Sequence, residues 1–549
     1  MRAMRATVLL FLVTLLAAPA VLAEERIDYD MVTRIRQEGF RNSKVMEIAS
    51  ALCDGIGARL TGSPNMKRAN DWTRDKLAEW GLANAHLESW GPFGRGWDYE
   101  SVSVRMVSPD VAELLALPKA WSPGTQGPVR GKVVLAKLTS KEDLERERGK
   151  LRGRIVLTDE MREVKPQEKA ALERYDEKSL DEVWHYEAPT AGGRFSPEEL
   201  RRRREFRRAL NAFLEEEKPL AVIDPGRGDG GTLAVQQAGS GWIRTEPTGV
   251  PALVMAIEHY GRIARLLDRK KDVELEIDVK ASFLDENTMS YNTVAEIPGS
   301  DRNGEIVMLG AHMDSWHGGT GATDNAAGVA AAMEAVRILT ALGAKPRRTI
   351  RIGLWSGEEQ GLLGSEAYVM QHFASKPAPA DPAERQNFSL RRSPGPLTIK
   401  PDHAKLSAYF NLDNGTGRIR GIYAQENAAV VPIFEKWLEP LKDLGATTVT
   451  MRVTRGTDHE AFDAVGLPGF QFLQDEIEYD TRTHHTNQDL YERLQREDLM
   501  QASVVMATFV WEAAMRDSRL PRKPLPKENP PPGPTPRAVA NLREASAPH

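Results

Sequence analysis

From Asn292 onward, short apolar runs alternate with longer helical stretches. Strand-like runs fall at 294–297, 306–309, 349–355, 406–412, 419–423, 449–453 and 469–473, with helices over 326–342 and 497–515. That alternation predicts an α/β fold: a mixed, mostly parallel sheet flanked by helices on both faces. In such a sheet, ligands gather beyond the carboxyl ends of the strands. His312 follows the second run, Glu358 and Glu359 follow the run ending at Trp355, and Asp413 follows the run ending at Leu412. His485 comes after the last run and a loop. If these strands are parallel, all five groups share one edge. Asp324 would reach the same edge from the start of the helix, where the plain alternative is an N-cap.

Imidazole and carboxylate groups suit borderline-soft divalent ions, zinc above all. Two such ions a few ångströms apart can clamp a water and a peptide carbonyl, so the pattern implies metal-assisted hydrolysis. Asp314, two residues beyond His312, can accept the second imidazole N–H and fix its tautomer. Asp324 has two carboxylate oxygens and can bridge two cations. Of Glu358 and Glu359, one can bind metal while the other takes a proton from water. The alternative for that pair is a helix first turn favoured by the dipole. Gly226-Arg227-Gly228-Asp229-Gly230-Gly231 matches a dinucleotide fingerprint, but Thr232-Leu233-Ala234-Val235 after it reads as another strand rather than a helix. No H-E-x-x-H, P-loop or G-x-S-x-G is present.

A chain of 549 residues exceeds one ordinary core. Its 73 Lys+Arg against 78 Asp+Glu leave no field that would draw nucleic acid. Residues 1–23 carry Arg2 and Arg5, an apolar run and the small-residue exit Val21-Leu22-Ala23, the pattern of a cleaved secretory signal. The run is short for a membrane span, so the expectation is a secreted or periplasmic protein without stable membrane insertion. Cys53 is the single cysteine, excludes an intrachain disulfide, and reads as a buried small apolar residue.

The expected organisation is 24–101 as the N-terminal part of the main domain, 102–283 as an inserted β-rich module, 284–519 as the catalytic part, and 520–549 as a disordered Pro-rich tail. Within the insert, a charged block at 159–218 ends in a basic run at 201–208. Glu215-Glu216-Glu217 close behind favour a solvated helix face over an anion-binding surface. Residues 375–403 read as a long insertion loop.

Several segments together resemble the M28 family of zinc metallopeptidases, and within it the carboxypeptidase Q branch. They are Ala58-Arg59-Leu60-Thr61-Gly62-Ser63-Pro64, His312-Met313-Asp314-Ser315-Trp316 and Gly319-Thr320-Gly321-Ala322-Thr323-Asp324-Asn325. Glu358-Glu359-Gln360-Gly361, Asp413-Asn414-Gly415-Thr416-Gly417, Asp458-His459-Glu460-Ala461-Phe462 and His484-His485-Thr486-Asn487-Gln488-Asp489 complete the set. The resemblance implies a zinc exopeptidase fold with two zinc ions per chain. Asp324 would be the bridging ligand, His312 and Asp413 would complete one site, and Glu359 and His485 the other. Glu358 would be the general base, with Asp314 supporting His312. His485 is preferred to His484 because the family's ligand precedes Thr in a His-Thr-x-x-Asp pattern. Asp458 and His459 resemble a loop near the substrate and stay outside the assigned site.

The implied substrate is a short peptide cut near a free terminus by aminopeptidase or dipeptidase action. Carboxypeptidase, single-zinc glutaminyl cyclase and transferrin-receptor-like binding protein are the alternatives. The oligomeric state is open, with a homodimer among the expectations. His317 and Asn325 depart from the Asp common at those positions. Leu151-Arg152-Gly153-Arg154-Ile155-Val156-Leu157 and Val250-Pro251-Ala252-Leu253-Val254 make the insert resemble a protease-associated (PA) domain.

Overall fold

A computed structural model describes residues 25–187, 196–239, 241–286, 288–378, 391 and 396–525. The expected signal segment, most of the Pro-rich tail and the middle of the 375–403 loop lie outside the described residues.

Two eight-stranded sheets organise the chain. The first consists of β1 (Ala83–Trp90), β2 (Ser290–Ile297), β3 (Arg302–His312), β4 (Arg348–Trp355), β5 (Leu406–Asn411), β6 (Ile419–Tyr423), β7 (Thr448–Thr450) and β8 (Gly469–Gln474). Their spatial order is β1-β2-β4-β3-β5-β8-β6-β7. The pairs β4/β3, β3/β5 and β5/β8 are parallel, while β1/β2, β2/β4 and β8/β6 are antiparallel. The four central strands therefore end on one edge, with His312 opposite Trp355 and Gly310 opposite Asn411. These strands are buried along most of their length, with apolar runs such as 306–309 at their centres, as cover on both faces requires.

The helix Ala327–Ala341 is buried over almost all of its circumference and packs against the sheet and the helix Arg496–Met515. A helix apolar all round belongs inside a core. Its small residues permit close approach: a Cβ on Gly328 would stand 2.3 Å from the Leu412 carbonyl oxygen. Tyr29–Arg41 and Pro64–Glu79 cover the same core; Ser63 caps the latter by accepting from Met66 N, and Pro64 begins it.

The second sheet is built between Gly96 and Leu284, with the order 112–113, 96–108, 274–284, 129–135, 155–157, 221–225, 252–255, 116–118. The basic run lies on the helix Pro197–Glu217, opened by a Ser196–Glu199 capping box. Leu60, Phe93, Trp97, Ala120, Trp121 and Trp316 form an aromatic-rich cluster that joins the two sheets' surroundings.

Two expectations change. The run 232–235 forms no strand of the second sheet; Ala234 instead bridges singly to Thr486 in the first module. The tail begins later than 520, because Leu520 is buried and donates to Ser407 Oγ, and Lys523 pairs with Asp463.

Candidate metal centre

His312 closes β3, and its ring enters the space beyond the strand ends with 1% of its side chain exposed. Its Nε2 stands 3.2 Å from Asp324 Oδ1 and 3.4 Å from Asp413 Oδ1. On the other side, Asp324 Oδ2 lies 3.2 Å from His485 Nε2, which is 2.9 Å from Glu359 Oε2. The two oxygens of Asp324 thus face two different imidazoles. His312 Nε2, Asp324 Oδ2, Glu359 Oε1 and Asp413 Oδ1 are all buried without a conventional hydrogen bond. Native proteins rarely leave such groups unsatisfied, and a cation is one way to satisfy them. Two ligands ~2.0–2.1 Å from a tetrahedral ion stand ~3.3 Å apart, which matches these spacings. The donor set therefore fits divalent metal.

Local structure explains how each group arrives. Asp324 is no N-cap: its carboxylate oxygens face the two imidazoles, and the main-chain N–H a cap would take, that of Gly328, donates to Asn325 instead. Asp489 holds that turn, accepting from Thr323 N at 2.6 Å and Asp324 N at 3.2 Å. Asn325 does the capping, since its Oδ1 accepts from Gly328 N while its Nδ2 donates to Leu412 O. An aspartate there would lack that second, donor function. Arg59 is fully buried and donates to the carbonyls of Met313, Thr320 and Gly321, tying together the loops on either side of Asp324.

Asp314 serves His312 through a different atom from the one its spacing suggests. The imidazole Nδ1 meets the Asp314 main-chain carbonyl at 3.0 Å, while the carboxylate is 3.7 Å away. That carboxylate accepts from Glu358 N, Glu359 N and Thr61 Oγ1. It therefore fixes the Glu358–Glu359 turn against β3. Asp413 is held by Gln471, whose amide donates to its main-chain oxygen. His484 lies 3.9 Å from Asp324 Oδ2, its ring stacked on Tyr479 and two-fifths exposed.

Burial pushes Glu358 well above the usual carboxyl range, with His312 opposing and Asp413, Asp458 and Glu359 adding to the rise. Burial likewise lifts Glu359 to about 7, although His485 pulls it down. For His485, burial opposes the charge, but the Glu359 and Asp324 carboxylates raise it to about 10. Asp324 stays well below its ordinary value despite burial, because both imidazoles flank it. Asp458 is fully buried and raised to about 7, chiefly by burial. The centre gathers more carboxylate than its two imidazoles can neutralise, as a divalent-cation site requires.

Sequence reasoning gave no role to Asp489, Arg59 or Thr61. For Asp489 a signal existed in the His-Thr-x-x-Asp spacing. Arg59 and Thr61 sit in a quoted motif but contact the centre only through the fold.

Residues 292–510 match the model of peptidase family M28. This part of the chain belongs to peptidase family M28. The protein is a metallopeptidase. Carboxypeptidase Q of Mus musculus is 25% identical over 507 residues, spanning 91% of this chain and 93% of its own length. Among solved structures, a peptidase M28 precursor from Shewanella amazonensis aligns with a TM-score of 0.61 at 24% identity, covering 91% of this chain and 98% of that one. The zinc aminopeptidase BSAP of Bacillus subtilis aligns with a TM-score of 0.53 at 17% identity, over 87% and 96% of the two chains. At these identities the structural matches show the M28 fold alone.

Proposed function

We propose that the protein is an exported di-zinc exopeptidase that removes residues from a free terminus of short peptides. The observation that carries this reading is Asp324 presenting one oxygen to His312 and the other to His485. His312 and Asp413 would hold one ion with Asp324, and Glu359 and His485 the other. Zinc held there supplies a Lewis acid that polarises the scissile carbonyl and acidifies a water. Glu358 is the free carboxylate beside these ligands. Its raised proton affinity suits a base that takes the water's proton and returns it to the departing amine. Asp314 holds Glu358 in register through its main-chain N–H.

Aminopeptidase or dipeptidase action is the first reading, in line with BSAP being a zinc aminopeptidase. The name of the mouse relative favours carboxypeptidase action as the second. Among the described residues no helix is long and apolar enough to cross a membrane. Export is inferred from the sequence pattern of residues 1–23 alone. The deciding experiment is metal analysis of the purified protein together with hydrolysis of aminoacyl anilides, dipeptides and N-blocked dipeptides. Two zinc per chain, with cleavage abolished by chelator and restored by zinc, supports the reading. Cleavage restricted to N-blocked substrates transfers it to the carboxypeptidase, and one zinc without any cleavage overturns it.

A further inference from the structure

The loop that carries His485 is held from outside its own module. Residues 231–236, which leave the second sheet, run antiparallel across 485–487: Val235 N donates to His485 O at 3.1 Å, and Asn487 N donates to Leu233 O at 3.0 Å. Asn487 answers with its side chain, accepting from Leu233 N and donating to Gly231 O. Leu233 and Val235 are fully buried, so the crossing segment is part of the packed interior. His485 itself sits at φ +61°, a left-handed conformation that non-glycine residues adopt only when their surroundings impose it. At the end of the crossing, the Gln236 side-chain amide lies 2.9 Å from His485 Nδ1.

We propose that Gln236, contributed by the inserted module, is the positioning residue of His485, so that the insert completes the metal centre. The proposal rests on the di-metal reading above. A metal-bound imidazole needs its second nitrogen engaged to fix tautomer and ring orientation. His312 obtains this from the Asp314 carbonyl within its own loop. For His485 the amide of Gln236 occupies the corresponding place. A carboxamide can both donate and accept. Where Nε2 carries the proton toward Asp324 and Glu359, the amide N–H donates to Nδ1. Where Nε2 is a ligand, Nδ1 carries the proton, and a half-turn of the amide presents Oε1 to accept it. Glutamate offers only the second arrangement and leucine neither. Arg227 donates to Gln236 Oε1 at 3.3 Å and is the contact that such a half-turn gives up.

Zinc affinity, measured by competition with a chromophoric chelator, tests this on the full chain. Gln236→Leu should weaken one of two bound zinc ions ~10–100-fold while sparing the other, and Gln236→Glu should restore it. Affinities for both ions unchanged from the unaltered protein in Gln236→Leu overturn the proposal. So does a loss of both ions together with a lower melting temperature of the chelated protein that Gln236→Glu fails to rescue, since that marks a packing role. If the unaltered protein takes up no zinc, the di-zinc reading itself falls. The ¹⁵N resonance of His485 Nδ1 then decides for Gln236: a shift in Gln236→Leu supports the positioning role, and an unchanged resonance overturns it.

Discussion

Asp489 never touches a proposed ligand's donor atoms, yet it fixes the main chain on which Asp324 depends. Replacing it with alanine should weaken metal binding ~10–100-fold, the usual cost of removing such support, which zinc retention after dialysis would measure. Glu358→Gln is the complementary case. The variant should keep its zinc, because no ligand is removed, and lose ~10²–10⁴-fold in kcat as the proton acceptor disappears. His485→Ala should release one ion of two, whereas His484→Ala should retain both, because His484 stands farther from Asp324 and stacks on Tyr479. Of the proposed ligands and Glu358, those at 312, 358, 359 and 413 were legible because each lies just past a strand, and Asp324 because it precedes a helix. His485 lies beyond a loop and was legible only through the family motif. The support was legible only in part. The spacing placed Asp314 beside His312, but the atom that serves the imidazole is its carbonyl, and Gln236 comes from another module and leaves no spacing to read.

At the scale of elements, the buried parallel strands were legible from their continuous apolar runs, whereas β1 and the 96–108 strand were not. Those two alternate weakly and keep many residues exposed, so their pairing comes from neighbours distant in sequence. The helix Arg496–Met515 was clear from sequence, but the cost of one of its residues was not. Glu512 is buried where it meets Asp28, accepting from Asp28 N at 3.1 Å, and burial next to Asp28 and Glu25 lifts it to about 8. The folded state therefore keeps a proton on Glu512 that the unfolded chain loses near the ordinary carboxyl value. That contribution is present at low pH and disappears as pH rises through about 8, so stability falls across this interval. Glu512→Gln should flatten the decline and melt higher than the unaltered protein at pH 9, by ~1 °C for each kcal/mol regained in a chain of this length. Equal melting curves at pH 9 would refute it.

For the whole molecule, the concentration of buried carboxylates beyond the strand ends ties stability to metal. Saturating zinc should raise the melting temperature over the chelated protein, with ~2.7 kcal/mol gained at a hundredfold excess over Kd. The division into two modules was legible from the change in texture after Asn292. Of the boundaries, the expected 283 lies one residue from the end of the second sheet at Leu284, whereas the expected 102 falls inside the strand that begins at Gly96. Pairing of β1 with β2 spans the entire insert, with Trp90 opposite Ser290. During synthesis, everything from Gly96 to Leu284 has therefore emerged before the first sheet can close on β1. The inserted module has emerged in full by the time His485, 201 residues beyond Leu284, is translated and can be laid against it. The candidate metal centre accordingly cannot close until both the insert and the segment around His485 have left the ribosome.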